Sequence, residues 1–136
     1  MGEEYFVSKK ADVLGINIDA MTMSEVIAKA EQYMDEKSSV MIATANAEMI
    51  MRAIYDIELR NILCEAALTV PDGAGTVWAA HYLGFDMPER VAGYDLAQEL
   101  MRLAPQKNRR VYFWDLLQVW QIKQKERQKN VIQVST

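Results

Sequence analysis

Apolar and polar residues alternate through Ala11-Asp12-Val13-Leu14-Gly15-Ile16-Asn17-Ile18-Asp19, the period of a strand with one buried face. The period then lengthens to that of a helix, with Val26, Ile27, Ala30, Tyr33 and Met34 on one face. Thr22-Met23-Ser24-Glu25 supplies its start as a capping box, in which the Thr22 hydroxyl accepts from the Glu25 amide while the Glu25 carboxylate reaches back. Lys37-Ser38-Ser39 ends that helix, and Val40-Met41-Ile42-Ala43-Thr44 is apolar on both sides, as a central strand of a covered sheet is. Two helical stretches follow, one over Glu48–Ile54 and one capped by Asp56 and carried by Glu58, Leu59, Ile62 and Leu63. Ala67-Leu68-Thr69-Val70 is the next buried strand, closed by Pro71-Asp72-Gly73. Helices over Thr76–Leu83 and Asp95–Leu103, a break at Pro105–Asn108 and a strand over Arg110–Trp114 complete the series.

Strand and helix therefore alternate along the chain. Parallel strands need crossovers and helices provide them, so the pattern predicts an α/β fold, a Rossmann-like, mostly parallel sheet with helices on both faces. At 136 residues one domain is expected. Its organisation reads as an N-terminal extension over 1–10, the α/β domain over 11–114 and a distinct tail over 115–136. A net charge of −4 and a pI near 5.0 exclude non-specific nucleic-acid binding, which needs Lys and Arg to neutralise phosphates.

The single cysteine, Cys64, lies in an apolar run and cannot form an internal disulfide, which fits a reduced cytoplasmic compartment. No apolar run approaches the ~20 residues that cross a bilayer, and the acidic start Met1–Phe6 is unlike a signal peptide. Phe6 also stands where a myristoylation signal needs Ser or Thr.

In open α/β sheets, ligands bind beyond the carboxyl ends of the strands, where helix N-termini point their free amides. Thr44-Ala45-Asn46-Ala47-Glu48 offers a hydroxyl and an amide there, either to a sugar, ribose or phosphate, or only to cap the helix that begins. Pro71-Asp72-Gly73-Ala74-Gly75 places a carboxylate on a tight turn whose glycines, Gly73 and Gly75, let a ligand approach; the alternative is an ordinary turn aspartate. The segment is not a dinucleotide fingerprint, because Trp78 occupies the place of the third glycine.

Pro88-Glu89-Arg90-Val91-Ala92-Gly93-Tyr94-Asp95 is a further loop before a helix. Arg90 offers a fork of donors matched to a diphosphate, or else pairs with Glu89 or Asp95 on the surface. His81 stands on an apolar turn with no second ligand at metal spacing and reads as structural. No metal motif and no cofactor box emerges, the nine methionines being gap fillers on helical apolar faces.

Three ordered segments, Ile42–Met49, Val70–Ala79 and Pro88–Leu96, together resemble the WecG/TagA/CpsF glycosyltransferase family, and Val13-Leu14-Gly15-Ile16 followed by Thr22-Met23 looks like that family's first strand and helix start. The resemblance implies an inverting transferase. Such an enzyme moves N-acetylmannosamine or a related sugar from a UDP-sugar to a polyprenyl-diphosphate-linked N-acetylglucosamine, for teichoic-acid linkage units, common antigen or capsule. It implies Asp72 as the general base, with Thr44, Asn46, Gly73, Gly75, Gly93 and Asp95 around the substrates and Arg90 on the diphosphate. No metal or cofactor is required, the acceptor is a membrane lipid, and the enzyme works in the cytoplasm at the inner face of the cell membrane.

The resemblance stops at Trp114, where the family continues with a glycine-rich turn and another βα unit, so the sheet is expected to be truncated. One choice of synonymous codons for residues 115–136, read in a shifted frame, restores a glycine-rich turn, a helix and a Tyr-Pro-Gly end. A single-base deletion is therefore the expected origin of the tail, the alternative being a divergent natural tail; after a deletion the tail should be a poorly packed helix or unstructured. A truncated sheet leaves apolar surface uncovered, and self-association into a homo-oligomer is a further expectation.

Overall fold

In a computed structural model the chain is described over residues 9–114, with the backbone of 131–134 in addition. Two short strands, β1 (Lys9–Val13) and β2 (Ile16–Ala20), are followed by α1 (Met23–Asp35), β3 (Ile42–Ala45), α2 (Ala47–Ala53) and α3 (Ile57–Glu65). Then come β4 (Leu68–Pro71), α4 (Ala74–Tyr82), α5 (Gly93–Lys107), β5 (Val111–Trp114) and β6 (Val131–Val134).

The first alternating run is a hairpin rather than one strand. Leu14 and Gly15 both adopt left-handed backbone angles, φ 54° and 88°, as a two-residue hairpin turn demands. The Asp12 carboxylate steadies the turn by accepting the Gly15 amide at 2.8 Å. Val13 and Ile16 pair across the turn on one face, so the buried set Ala11, Val13, Ile16 and Ile18 slips from odd to even positions, a change of phase that one unbroken strand would not show.

α1 begins at the expected capping box, with Glu25 N–H to Thr22 Oγ1 and Thr22 N–H to Glu25 Oε1 both at 3.2 Å. It buries Val26, Ala30 and Met34. Asp56 caps α3 through the amides of Glu58 and Leu59, also as expected. α5 departs from expectation by running through Pro105 to Lys107. A proline this close to the end removes only one hydrogen bond of the last turn, and Asn108, in the left-handed conformation, closes the helix.

Among the described residues the strands form three two-stranded ladders. β3 pairs with β4 in parallel, whereas β1–β2 and β5–β6 are antiparallel. The class is thus mixed α/β, with its parallel character confined to β3–β4. A helical or unstructured tail is not what residues 131–134 form: Val131-Ile132-Gln133-Val134, rich in β-branched residues, is a strand beside β5. The remainder of the tail, 115–130 and 135–136, lies outside the described residues, as do residues 1–8 of the N-terminal extension.

Apolar residues gather on both sides of the parallel pair. Ala43 and Ala45 join the hairpin residues, Met49, Ile50, Leu59 and Leu63 in one cluster, while Leu68 and Val70 join Met21, Val26, Val91 and Leu96 in another. β2 runs beside β4, tied to it by the Thr69 amide donating to the buried Asp19 carboxylate at 2.8 Å.

Candidate functional site

The parallel ladder ends level. Ala45 stands opposite Pro71, and the Asp72 amide donates to the Ala45 carbonyl at 3.0 Å, so both strands release the chain at one place. Three helices start there: α2 after Asn46, α4 after Gly73 and α5 after Ala92. Their first-turn amides carry partial positive charge, and neither α4 nor α5 has a side-chain cap.

Gly73 makes the exit from β4 possible. Its φ of 96° with ψ of 153° belongs to glycine alone, and a side chain there would meet open space, so the exposed peptide is approachable from outside. Thr76 then pins α4 to the strand ends, its buried hydroxyl donating to the Ala45 carbonyl at 3.0 Å. On the other flank the Val91 amide donates to the Pro71 carbonyl at 2.8 Å, which holds the segment leading into α5 against the end of β4.

These anchors bring Asp72, Thr44 and Gly93 together. A Cβ built on Gly93 would lie 3.0 Å from Asp72 Oδ2 and 3.3 Å from Thr44 Oγ1, so the carboxylate and the hydroxyl both face the bare backbone at the start of α5. The Asp72 side chain is half-buried, and among the described residues its carboxylate accepts no hydrogen bond. A carboxylate with a fixed backbone and unused lone pairs is chemically able to take a proton from a bound hydroxyl.

The other expected residues divide. Asn46 uses its side-chain oxygen on the Met49 amide at 2.8 Å, and so acts as the helix cap that was its alternative reading. Gly75 faces Ala47, a Cβ on it falling 3.2 Å from the Ala47 Cβ, so its smallness serves the packing of α4 against the start of α2. Arg90 and Asp95 are exposed and line an open cleft of about 450 Å³ together with Met23, Ile27, Glu89 and Glu99. Neither Thr44 nor Asp72 belongs to the walls of that cleft.

Arg90 makes no ion pair with Glu89 or Asp95 among the described residues, so its surface-pair alternative is not formed. His81 sits on α4 with Nε2 3.0 Å from the Met87 carbonyl, a structural contact. No group of three or more His, Cys, Asp or Glu able to hold a metal ion occurs among the described residues. No helix among them is long and apolar enough to cross a membrane.

Sequence reasoning missed Thr76, Val91 and Glu89 as site-building residues. Thr76 carries a usable signal, a hydroxyl in the first turn of a helix that begins without a side-chain cap. Val91 acts through its backbone, which no side-chain pattern marks.

Comparison with known proteins adds an independent line. Residues 11–116 match the glycosyl transferase WecG/TagA/CpsF family. The chain is 33% identical over 97 residues to an N-acetylglucosaminyldiphosphoundecaprenol N-acetyl-beta-D-mannosaminyltransferase of Bacillus spizizenii, a stretch that covers 71% of this chain and 38% of the relative. It is 31% identical over 84 residues to the protein of that name from Bacillus subtilis, covering 62% and 33%. To that from Staphylococcus aureus it is 28% identical over 112 residues, covering 81% and 44%. The chain thus spans less than half the length of these relatives. With its three motif segments all inside the matched region, the chain belongs to the WecG/TagA/CpsF glycosyltransferase family.

Proposed function

We propose that this chain is the front part of an inverting glycosyltransferase that moves N-acetylmannosamine, or a related sugar, from a UDP-sugar to a polyprenyl-diphosphate-linked N-acetylglucosamine. The observation that carries the proposal is the Asp72 carboxylate, fixed at the end of β4, uncommitted to the protein and facing Thr44 across Gly93. In this reading Asp72 removes the proton of the acceptor hydroxyl as its oxygen forms a bond to the anomeric carbon. The bond from that carbon to the UDP oxygen breaks on the opposite face, and UDP leaves with the electron pair. Arg90 and the first-turn amides of α4 and α5 offset the charge that builds on the diphosphate. Thr44 and the backbone at Gly73 and Gly93 orient the sugar nucleotide, with Asn46 and Gly75 shaping the pocket at the strand ends and Asp95 standing beside Arg90 on the open cleft.

The β3–β4 pair is the centre of a Rossmann-like sheet in the same proposal, and the enzyme works in the cytoplasm, peripheral to the inner membrane face where its lipid acceptor lies. Exposed Trp78, Tyr82 and Leu83 on α4 support self-association, which a monodisperse monomer in sedimentation would refute. Residues 117–136 lie outside the family match, consistent with a single-base deletion as the origin of the tail. Resequencing that finds no base lost removes the deletion.

Because the chain spans less than half of its relatives, a second reading is kept, a non-catalytic module that binds the nucleotide or a protein partner without transfer. Calorimetry with UDP and UDP-N-acetylmannosamine separates an enzyme or nucleotide-binding module from one that binds only a protein partner, which gives no heat with either. Sugar transfer to a lipid-diphosphate acceptor, abolished in Asp72→Asn, then separates the enzyme from the binder.

A further inference from the structure

We infer that Glu89 is a positioning residue for Arg90: its carboxylate fastens the segment between α4 and α5 to the first turn of α1 and so fixes where the guanidinium stands in the cleft. The inference rests on the transferase reading of Arg90. The start of α1 has orphan amides that its own capping box satisfies in part, Thr22 N–H going to Glu25 and Glu25 N–H to Thr22. The Met23 amide is left over, and it donates to Glu89 Oε1, from a residue far along the chain. A carboxylate at a helix N-terminus also meets the favourable end of the helix dipole.

Glu89 is exposed, so burial does not force this bond; water was an available partner. What the bond does is geometric. Met23 and Glu89 stand on two walls of the cleft that Arg90 lines, and the bond sets the separation of those walls. The same segment is held at Met87, whose carbonyl meets His81, and at Val91, whose amide meets Pro71. Arg90 thus lies directly between two anchors, Glu89 on one side and Val91 on the other. Its own side chain has no ion-pair partner among the described residues, so the backbone placement decides where the fork of donors is presented.

A double-mutant cycle on the full chain tests this, with UDP as the probe, calorimetry for affinity and thermal unfolding in parallel. Glu89→Ala is expected to weaken UDP binding about tenfold, the size associated with losing one charge-assisted hydrogen bond. Glu89→Gln, which keeps an oxygen for the Met23 amide, restores most of that loss. In an Arg90→Ala background Glu89→Ala weakens binding no further, because its effect passes through Arg90.

Additive losses in the double variant, a Glu89→Ala chain that melts earlier yet binds UDP as the parent does, or a Gln variant as weak as Ala each overturn the inference while leaving the transferase reading intact. A parent chain that binds no UDP overturns both. Unchanged affinity in Arg90→Ala removes Arg90 from the nucleotide, and Glu89's role with it.

Discussion

Two aspartates flank β4 and have opposite fates. Asp19, beside the start of the strand, is 1% exposed and wholly engaged, one oxygen accepting the Thr69 amide at 2.8 Å and the other 3.1 Å from Lys10 Nζ. Asp72, at the end of the strand, donates its backbone amide to Ala45 but commits its carboxylate to nothing among the described residues. The first is a joint, in which a buried charge is tolerated because every lone pair facing the protein has a partner. The second is held in place by its main chain and left free at its tip. That division, rigid support with an unspent functional group, is what suits Asp72 to the base role proposed for it.

The contrast can be broken most decisively by Asp72→Asn. It is expected to lower sugar transfer by roughly a hundredfold to ten-thousandfold, the usual range for a general base, while the melting temperature stays where it is. A variant that melts early instead would make Asp72 a second Asp19. The reciprocal change, Asp19→Ala, leaves the Thr69 amide buried without its acceptor and should cost about 2–3 kcal/mol of stability in urea unfolding. UDP affinity extrapolated to the folded fraction should not change.

Gly93→Ala probes the space between the Asp72 carboxylate and the Thr44 hydroxyl. Its methyl group would lie 3.0 Å from Asp72 Oδ2 and 3.3 Å from Thr44 Oγ1, so calorimetry should find UDP bound roughly ten- to a hundredfold more weakly. Because alanine favours a helix more than glycine does, stability should be little altered.

The smallest effect concerns pH. Hydrogen bonds that Lys107 donates to Asp35 and then Glu31 raise its pKa above its ordinary 10.5, and burial foremost, with Asp19 and Glu36, raises that of Tyr33 above 10.0. Both groups hold their protons more tightly folded than unfolded. The resulting stabilisation is complete below those ordinary values and is lost as pH climbs through the raised ones. Urea midpoints should therefore be level up to about pH 9 and fall toward pH 11, less steeply in Lys107→Met.

Local chemistry was the legible part of this fold. The capping box at Thr22 and the cap at Asp56 are interactions between neighbours in sequence, and both formed as read. The hairpin left a trace that a reading of one strand passes over: the apolar positions slip from odd to even across Leu14-Gly15. The extension of α5 through Pro105 escaped for a different reason, since a proline in the last turn breaks one bond rather than the helix. In the candidate site, Asp72 and Thr44 are marked by their place at the ends of strands, and the structure brings them together at Gly93. Asn46 also caps α2 and Gly75 also lies close to Ala47, contacts that only distances reveal. Glu89 and Val91 act across long stretches of chain, and no spacing in a single sequence encodes that.

The parallel pairing of β3 with β4 carries a consequence for assembly. Ile42 meets Leu68 only after α2 and α3 have folded back between them, so this ladder is a long-range closure and forms late. The cluster at its end exists only while that closure holds. A nucleotide seated there would consequently behave as a clasp, raising the resistance of the whole chain to heat and proteases with the logarithm of its concentration once that exceeds Kd.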